Sequence, residues 1–333
     1  MDKLISSYAG KKVLITGAGG YIGTNLTYAL LDADCEIIRV SRNGDLPVLV
    51  RSGLKNSVSD FVGEYEKQSF WQSILQDVDI LFHLSAQTNI YEAAKDPLAD
   101  FEANVVPVLH MLDAVHSSGG STGVVFASSA TVVGMTENIP VDEHVADHPV
   151  TIYDVHKQTA ENYLKIHAQN GGGRTCSLRL CNVYGPGRTS LVKGRGVINT
   201  MIRRAVKGES LSLYGSGEYI RDYIYIDDVI KAFLMAGRHI DKLSGGHYLI
   251  GSGTSVTLKR AFEVIQDEVL STQEVRVEIK NFDTPATLSP IEFRNFVANH
   301  KCFTNKTSWW PDVNFKEGIR RTIDFIIKNE MGS

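Results

Sequence analysis

The sequence predicts an α/β chain: a doubly wound parallel sheet carrying a smaller C-terminal substrate-binding lobe. Three observations carry that expectation. Short apolar runs alternate with longer amphipathic stretches through the first half of the 333 residues, the rhythm of βαβ units. A glycine-rich turn, Gly17-Ala18-Gly19-Gly20-Tyr21-Ile22-Gly23, follows the first run directly. After residue 180 the punctuation changes, with Gly185-Pro186-Gly187, Gly194, Gly196, Gly215 and Gly217 crowded together. The start of a second lobe is therefore placed there.

The expected strands are 13–16, 36–40, 58–62, 80–84, 124–127 and 175–180, several of them almost wholly apolar, as strands covered by helices on both faces are. The expected helices between them are 23–32, 69–75, 99–117 and 153–169, the last stopped by Asn170 and three glycines. Beyond residue 180, helical patterns cover 197–207, 228–236, 258–270 and 315–327, with strands near 211–214, 223–226 and 248–250. The domain reading is residues 1–180 as a dinucleotide-binding unit, with segments near 221–250 returning to it. Residues 181–333 form an interleaved lobe.

Composition narrows the function. Apolar residues make up 43% and charged residues 22%, enough to build a core. With 34 basic against 38 acidic residues the net charge is −4, so the electrostatic footprint of a nucleic-acid binder is missing. There is no apolar stretch long enough to span a membrane and no apolar signal core at the start, so a cytoplasmic location is expected. Cys35, Cys176, Cys181 and Cys302 match neither a zinc ribbon nor a redox pair and read as buried thiols. The ten histidines show no metal-ligand spacing, so no metal is expected.

The glycines at 17, 20 and 23 form Gly-x-x-Gly-x-x-Gly between a strand and a helix. Glycine lets the backbone approach a diphosphate, and the helix N-terminus offers unpaired N–H groups and partial positive charge. An ordinary strand–helix turn is the plain alternative; the place at the chain start favours a dinucleotide. Specificity at the adenosine ribose is decided after the second strand, which ends Arg39-Val40-Ser41-Arg42-Asn43 without a carboxylate. That favours NADP over NAD, with Ser41 and Arg42 as phosphate partners.

Tyr-x-x-x-Lys sets a phenol and an ammonium one helical turn apart on one face. It occurs at Tyr8/Lys12, Tyr91/Lys95 and Tyr153/Lys157, so position must choose. Only Tyr153/Lys157 opens a long amphipathic helix downstream of Ser128-Ser129-Ala130-Thr131. A free phenol has a pKa near 10, and a neighbouring ammonium and an oxidised nicotinamide would both favour phenolate. Tyr153 could then exchange a proton with a substrate hydroxyl while Ser129 hydrogen-bonds the same oxygen. A capping serine and a surface lysine are the bland alternatives.

Taken in order, these pieces resemble the extended short-chain dehydrogenases/reductases, the nucleotide-sugar epimerase and dehydratase family. The matching segments are Gly17 to Gly23, His83-Leu84-Ser85-Ala86-Gln87, Asn104, Ser128 to Gly134, Tyr153 with Lys157, Asn182-Val183-Tyr184-Gly185-Pro186, Arg221 to Asp228, and Gly251-Ser252-Gly253. The resemblance runs from about Lys12 to Ile327 and implies a Rossmann-type sheet and usually a homodimer paired through helices 99–117 and 153–169. It implies cofactor contacts from Gly17, Gly20, Tyr21, Ile22, Gly23, Ser41, Arg42, Glu64, Tyr65, Leu84, Ser85, Ala86, Asn104, Tyr153 and Lys157. It implies substrate contacts from Thr131, Asn182, Val197, Tyr214, Arg221 and Arg294, the arginine forks suiting a diphosphate.

The sequence also departs from the family. Val133 stands where many relatives have Tyr, Asp154 where many have Gly, and Glu64 where an Asp often meets the adenine. Ser41-Arg42 replaces the acidic pair typical of NAD users. Dehydratases carry Asp-Glu after the Ser/Thr; Ala130 and Thr131 cannot supply that acid and base, and Thr131 also counts against a decarboxylase. The expected function is an NAD(P)-dependent epimerase acting at C4 of a nucleoside diphosphate hexose. An NADPH-dependent 4-ketoreductase is the alternative, and a non-catalytic NADP-binding relative the third.

Overall fold

The computed structural model describes residues 2–49, 57–187 and 196–331. Its main sheet has seven parallel strands. They are β1 (Lys12–Thr16), β2 (Glu36–Ser41), β3 (Ser57–Val62), β4 (Ile80–His83), β5 (Gly123–Ser129), β6 (Arg174–Leu180) and a late strand (Gly246–Ile250), in spatial order late–β6–β5–β4–β1–β2–β3. The order reverses between β1 and β4, which opens a crevice above the carboxyl ends of those two strands.

Period-two alternation divides the sheet between two cores. Val13 and Ile15 join one cluster with Leu26, Leu30 and Phe233, whereas Leu14 joins the other with Trp71, Met111, Val124 and Leu164. A strand apolar at every position therefore marks a sheet covered on both faces, and β1 is buried from Val13 to Thr16. The edge strand β3 is mostly exposed.

The helices of the first half are α1 (Asp2–Ile5), α2 (Tyr21–Leu30), α3 (Gln68–Ile74), α4 (Ile90–Lys95), α5 (Pro97–Asn104), α6 (Val106–Ser117) and α7 (Ile152–Gln169). The single helix expected over 99–117 is two, because Pro107 has no N–H to continue the ladder and instead sits in the first turn of α6. The connection after β4 holds the short helix α4, capped by the side chain of Asn89.

After residue 180 come β7 (Asn182–Tyr184), α8 (Val197–Val206), β8 (Leu211–Tyr214), β9 (Ile220–Arg221), β10 (Tyr223–Tyr225), α9 (Ile226–Arg238) and α10 (Ile240–Leu243). The late sheet strand is β11, followed by β12 (Val256–Thr257), α11 (Leu258–Gln273), β13 (Ile279–Phe282), α12 (Lys301–Thr307) and α13 (Phe315–Ile326). Three small two-stranded ladders, β7–β10, β9–β12 and β8–β13, organise this part. Asp222 ties it together: its buried carboxylate accepts from the backbone N–H groups of Ser252, Gly253 and Ala298 and from the Ser252 hydroxyl. Among the described residues no helix is long and apolar enough to cross a membrane. All four cysteines are free thiols; Cys302, expected buried, is only half-buried because it lies in the first turn of the peripheral α12.

Candidate active site

The crevice is a cavity of about 580 Å³. Its floor is the turn after β1. Gly17 has φ +66°, and a Cβ there would lie 2.8 Å from the Ser85 nitrogen. At Gly23 a Cβ would strike the carbonyl of Gly17 and the Cα of Ala18, so only glycine lets α2 start this close to β1. Among the described residues no side chain caps α2. Its first N–H groups are thus left for an anion, and the cradle fits the diphosphate of a dinucleotide.

One end of the cavity is lined by Ser41, Arg42, Asn43 and Asp45. Arg39 is committed elsewhere, since its guanidinium holds Asp60 through two bonds of 2.7 and 2.6 Å and donates to the carbonyl of Pro47. Sequence reading found no carboxylate at the end of β2, and the structure brings Asp45 into this wall from four residues beyond Ser41.

At the other end lie Ser128, Ser129, Tyr153, Lys157, Leu180, Cys181 and Val183. Tyr153 and Lys157 project from the first turns of α7, whose N-cap Thr151 accepts from the Asp154 N–H. Lys157 is 2% exposed; its Nζ donates to the Ala127 carbonyl at 2.8 Å, sits 4.3 Å over the Phe126 ring and lies 6.0 Å from the Tyr153 ring centre. Burial pushes its pKa down to about 8. Beneath Phe126, and stacked on it, His83 is held neutral, its pKa driven by burial down to about 3. Ser129 contacts the Thr131 hydroxyl at 2.7 Å.

The structure brings most of the expected cofactor residues onto the cavity: Gly17, Gly20, Tyr21, Ile22, Gly23, Ser41, Arg42, Leu84, Ser85, Ala86, Tyr153 and Lys157 all line it. Three others do not. Tyr65 is buried behind the cradle, its hydroxyl between the Gly17 N–H and the Val40 carbonyl. Glu64 is exposed and paired with Lys67. Asn104 is buried, its amide donating to the Gln87 carbonyl and to Asp100. The wall residues that motif reading missed, among them Thr88, Ala127 and Cys181, lie near or beyond the carboxyl ends of strands, so strand order could have found them.

The expected substrate residues are more scattered. Asn182 donates to the Asp222 carbonyl, while Val197 and Tyr214 are exposed. Arg221 spends its fork on backbone carbonyls of Ile220, Glu292 and Arg294. Arg294 differs: it is 5% exposed, yet its Nε and Nη1 have no hydrogen-bond partner among the described residues. Burial lowers its pKa to about 10.

A parallel sheet with this strand order, opened by a glycine turn at its switch point, is the architecture of the extended short-chain dehydrogenase/reductase enzymes. The chain belongs to the NAD dependent epimerase/dehydratase family, whose sequence profile matches residues 13–251. It is 26% identical over 323 residues to a putative UDP-glucose 4-epimerase of Methanocaldococcus jannaschii, spanning 95% of this chain and 99% of that protein. The fold superposes with a TM-score of 0.84 on the UDP-N-acetylglucosamine 4-epimerase of Methanobrevibacter ruminantium in complex with UDP-N-acetylmuramic acid, at 27% identity over 96% of this chain and 99% of that one. The UDP-glucose 4-epimerase of Thermus thermophilus in complex with NAD gives 0.79 at 26% identity, covering 94% and 98% of the two chains.

Proposed function

We propose that the protein is a nucleotide-sugar 4-epimerase that uses Tyr153 as its acid/base. The observation that carries this reading is the convergence of Tyr153, Lys157 and Ser129 on the same cavity as the glycine cradle. The dinucleotide, once bound, supplies a hydride acceptor and later a hydride donor. Gly17 to Gly23 hold its diphosphate, and Ser41, Arg42 and Asp45 meet its adenosine end. Tyr153 takes the proton of the sugar hydroxyl and returns it after the sugar has turned over. Ser129 donates a hydrogen bond to the same oxygen as its charge grows. Lys157, fixed by the Ala127 carbonyl, supplies the positive charge that favours phenolate. On this reading residues 181–333 provide the sugar-nucleotide lobe, and Arg294, with its open donors, takes the diphosphate ahead of Arg221.

Arg42 supports the second reading, a 4-ketoreductase, because a guanidinium at the adenosine end suits a 2′-phosphate and hence NADPH. The family's description as NAD dependent and the Thermus thermophilus epimerase in complex with NAD support the first. Leu98, Val155, Tyr163 and Ile166 leave apolar surface open on α5 and α7, which supports pairing of two copies there.

One experiment separates the readings. The dinucleotide retained by the purified protein is identified by mass, and a panel of UDP, GDP, CDP and dTDP hexoses is incubated without added cofactor. The expected result is interconversion of 4-epimers with no net nicotinamide consumed. Stoichiometric consumption of NADPH overturns the epimerase reading in favour of the reductase. Tyr153→Phe is expected to lower kcat by about 10³-fold while leaving dinucleotide binding intact; retained turnover refutes the acid/base assignment.

A further inference from the structure

Behind the catalytic face of α7 lies a buried acid that the reaction as written does not use. Asp100, on α5, is 1% exposed. Its Oδ2 lies 2.6 Å from the His156 Nδ1, and its Oδ1 accepts from Gln87 Nε2 at 2.8 Å and Asn104 Nδ2 at 3.0 Å. The Asn104 amide also donates to the Gln87 carbonyl, and the Phe101 ring meets His156 edge-on at 5.5 Å. One carboxylate thus joins three pieces: the loop after β4 that walls the cofactor cavity, helix α5, and the residue immediately before Lys157.

We propose that Asp100, paired with His156, is a positioning residue for Lys157: it pins the cavity loop to the catalytic helix and supplies part of the negative charge that favours the ammonium form of the buried lysine. This rests on the reading of Lys157 as the cation beside Tyr153. Asp100 is one of two carboxylates that act on Lys157, and Glu161 is the stronger. From β5 come the Ala127 carbonyl and the Phe126 ring, and from β4 comes His83, which is neutral. Helix α7 adds Tyr153 and Glu161, and Glu161 shares Arg179 with Asp147, its own bonds to the guanidinium running from 2.6 to 3.1 Å. Helix α4, which packs on α7, carries Tyr91 and the exposed pair Glu92 and Lys95, 3.9 Å apart; α5 also carries Glu102, and α6, likewise packed on α7, carries His110, Asp113 and His116. Asp100 is met by two amides and one imidazole. Both Glu161 and Asp100 raise the Lys157 pKa against the burial that lowers it.

Lys157 borders the cavity, so a small amine reagent reaches it. Trace acetylation with acetic anhydride across a pH series, read by peptide mass spectrometry, gives its titration midpoint with no need for turnover. The isosteric Asp100→Asn is expected to lower that midpoint by about half a pH unit, and His156→Gln, which keeps the carboxylate, is expected not to lower it. Thermal melting and dinucleotide binding certify that each variant is folded. A folded Asp100→Asn protein with an unchanged midpoint overturns the proposal, as does a His156→Gln protein whose midpoint falls as far. Should Asp100→Asn not fold, Asp100→Ser decides by the same measurement: a lowered midpoint upholds the charge role, and an unmoved one refutes it. Failure of the epimerase reading would show instead as absent epimerisation with these shifts intact.

Discussion

Two buried cations, Lys157 on helix α7 and Arg179 packed against it, are treated in opposite ways. Arg179, on β6, is 2% exposed and saturated with anions: Glu161 and Asp147 grip its guanidinium from two sides. Lys157, also 2% exposed, has a carbonyl and an aromatic face in place of a touching carboxylate. Burial works against both charges, yet the arginine's proton affinity ends raised and the lysine's lowered, to about 8. A fully paired charge holds elements together; an underpaired one lends its field to a neighbouring phenol.

Removing the paired cation is expected to cost the most. Arg179→Met leaves Glu161 and Asp147 buried beside an apolar chain and is expected to destabilise the protein by about 3–5 kcal/mol, measured by denaturant unfolding. A loss below about 1 kcal/mol would erase the contrast.

Removing the underpaired cation is expected to do the reverse. Its folded pKa lies below its unfolded one, so below both values the folded state bears a penalty of about 3 kcal/mol. That penalty is relieved as pH rises from about 8 toward the model-peptide value of 10.5. Lys157→Met is therefore expected to be about 1–2 kcal/mol more stable than the parent at neutral pH while losing activity, with the advantage shrinking across that alkaline window. A destabilised variant would show that the lysine is held by more than the Ala127 carbonyl.

At neutral pH the smallest effect concerns His83, beneath the Phe126 ring. Its depressed pKa means that the unfolded chain binds a proton the folded one refuses, so stability falls as pH drops from about 6.5 toward about 3. His83→Phe is expected to flatten that limb by up to about 1.4 kcal/mol per pH unit, read from melting temperatures in an acid series. An unaltered slope would assign acid unfolding to other groups.

Much of this frame is legible along the chain. The buried strands announce themselves because a strand covered on both faces must be apolar at every position, and the glycine turn because its φ and its close contacts admit no side chain. Tyr153 could be chosen over Tyr8 and Tyr91 because only its helix follows a hydroxyl-rich strand end. The break at Pro107 was written in the sequence but outweighed by helical periodicity on both sides. Nothing local distinguishes Arg221 from Arg294: their chemistry is the same, and only the carbonyls that the fold sets beside Arg221 occupy its fork. Asp100 and His156 likewise stand 56 residues apart with no motif to link them.

The amino-acid order by itself determined the sheet, the phosphate cradle and the tyrosine–lysine pair, because each follows from backbone geometry or from spacing within one element. Tertiary packing decided which charges are paired, which donors stay open and how strongly each buried group holds its proton. Those properties depend on groups brought in from distant parts of the chain and on the water they displace.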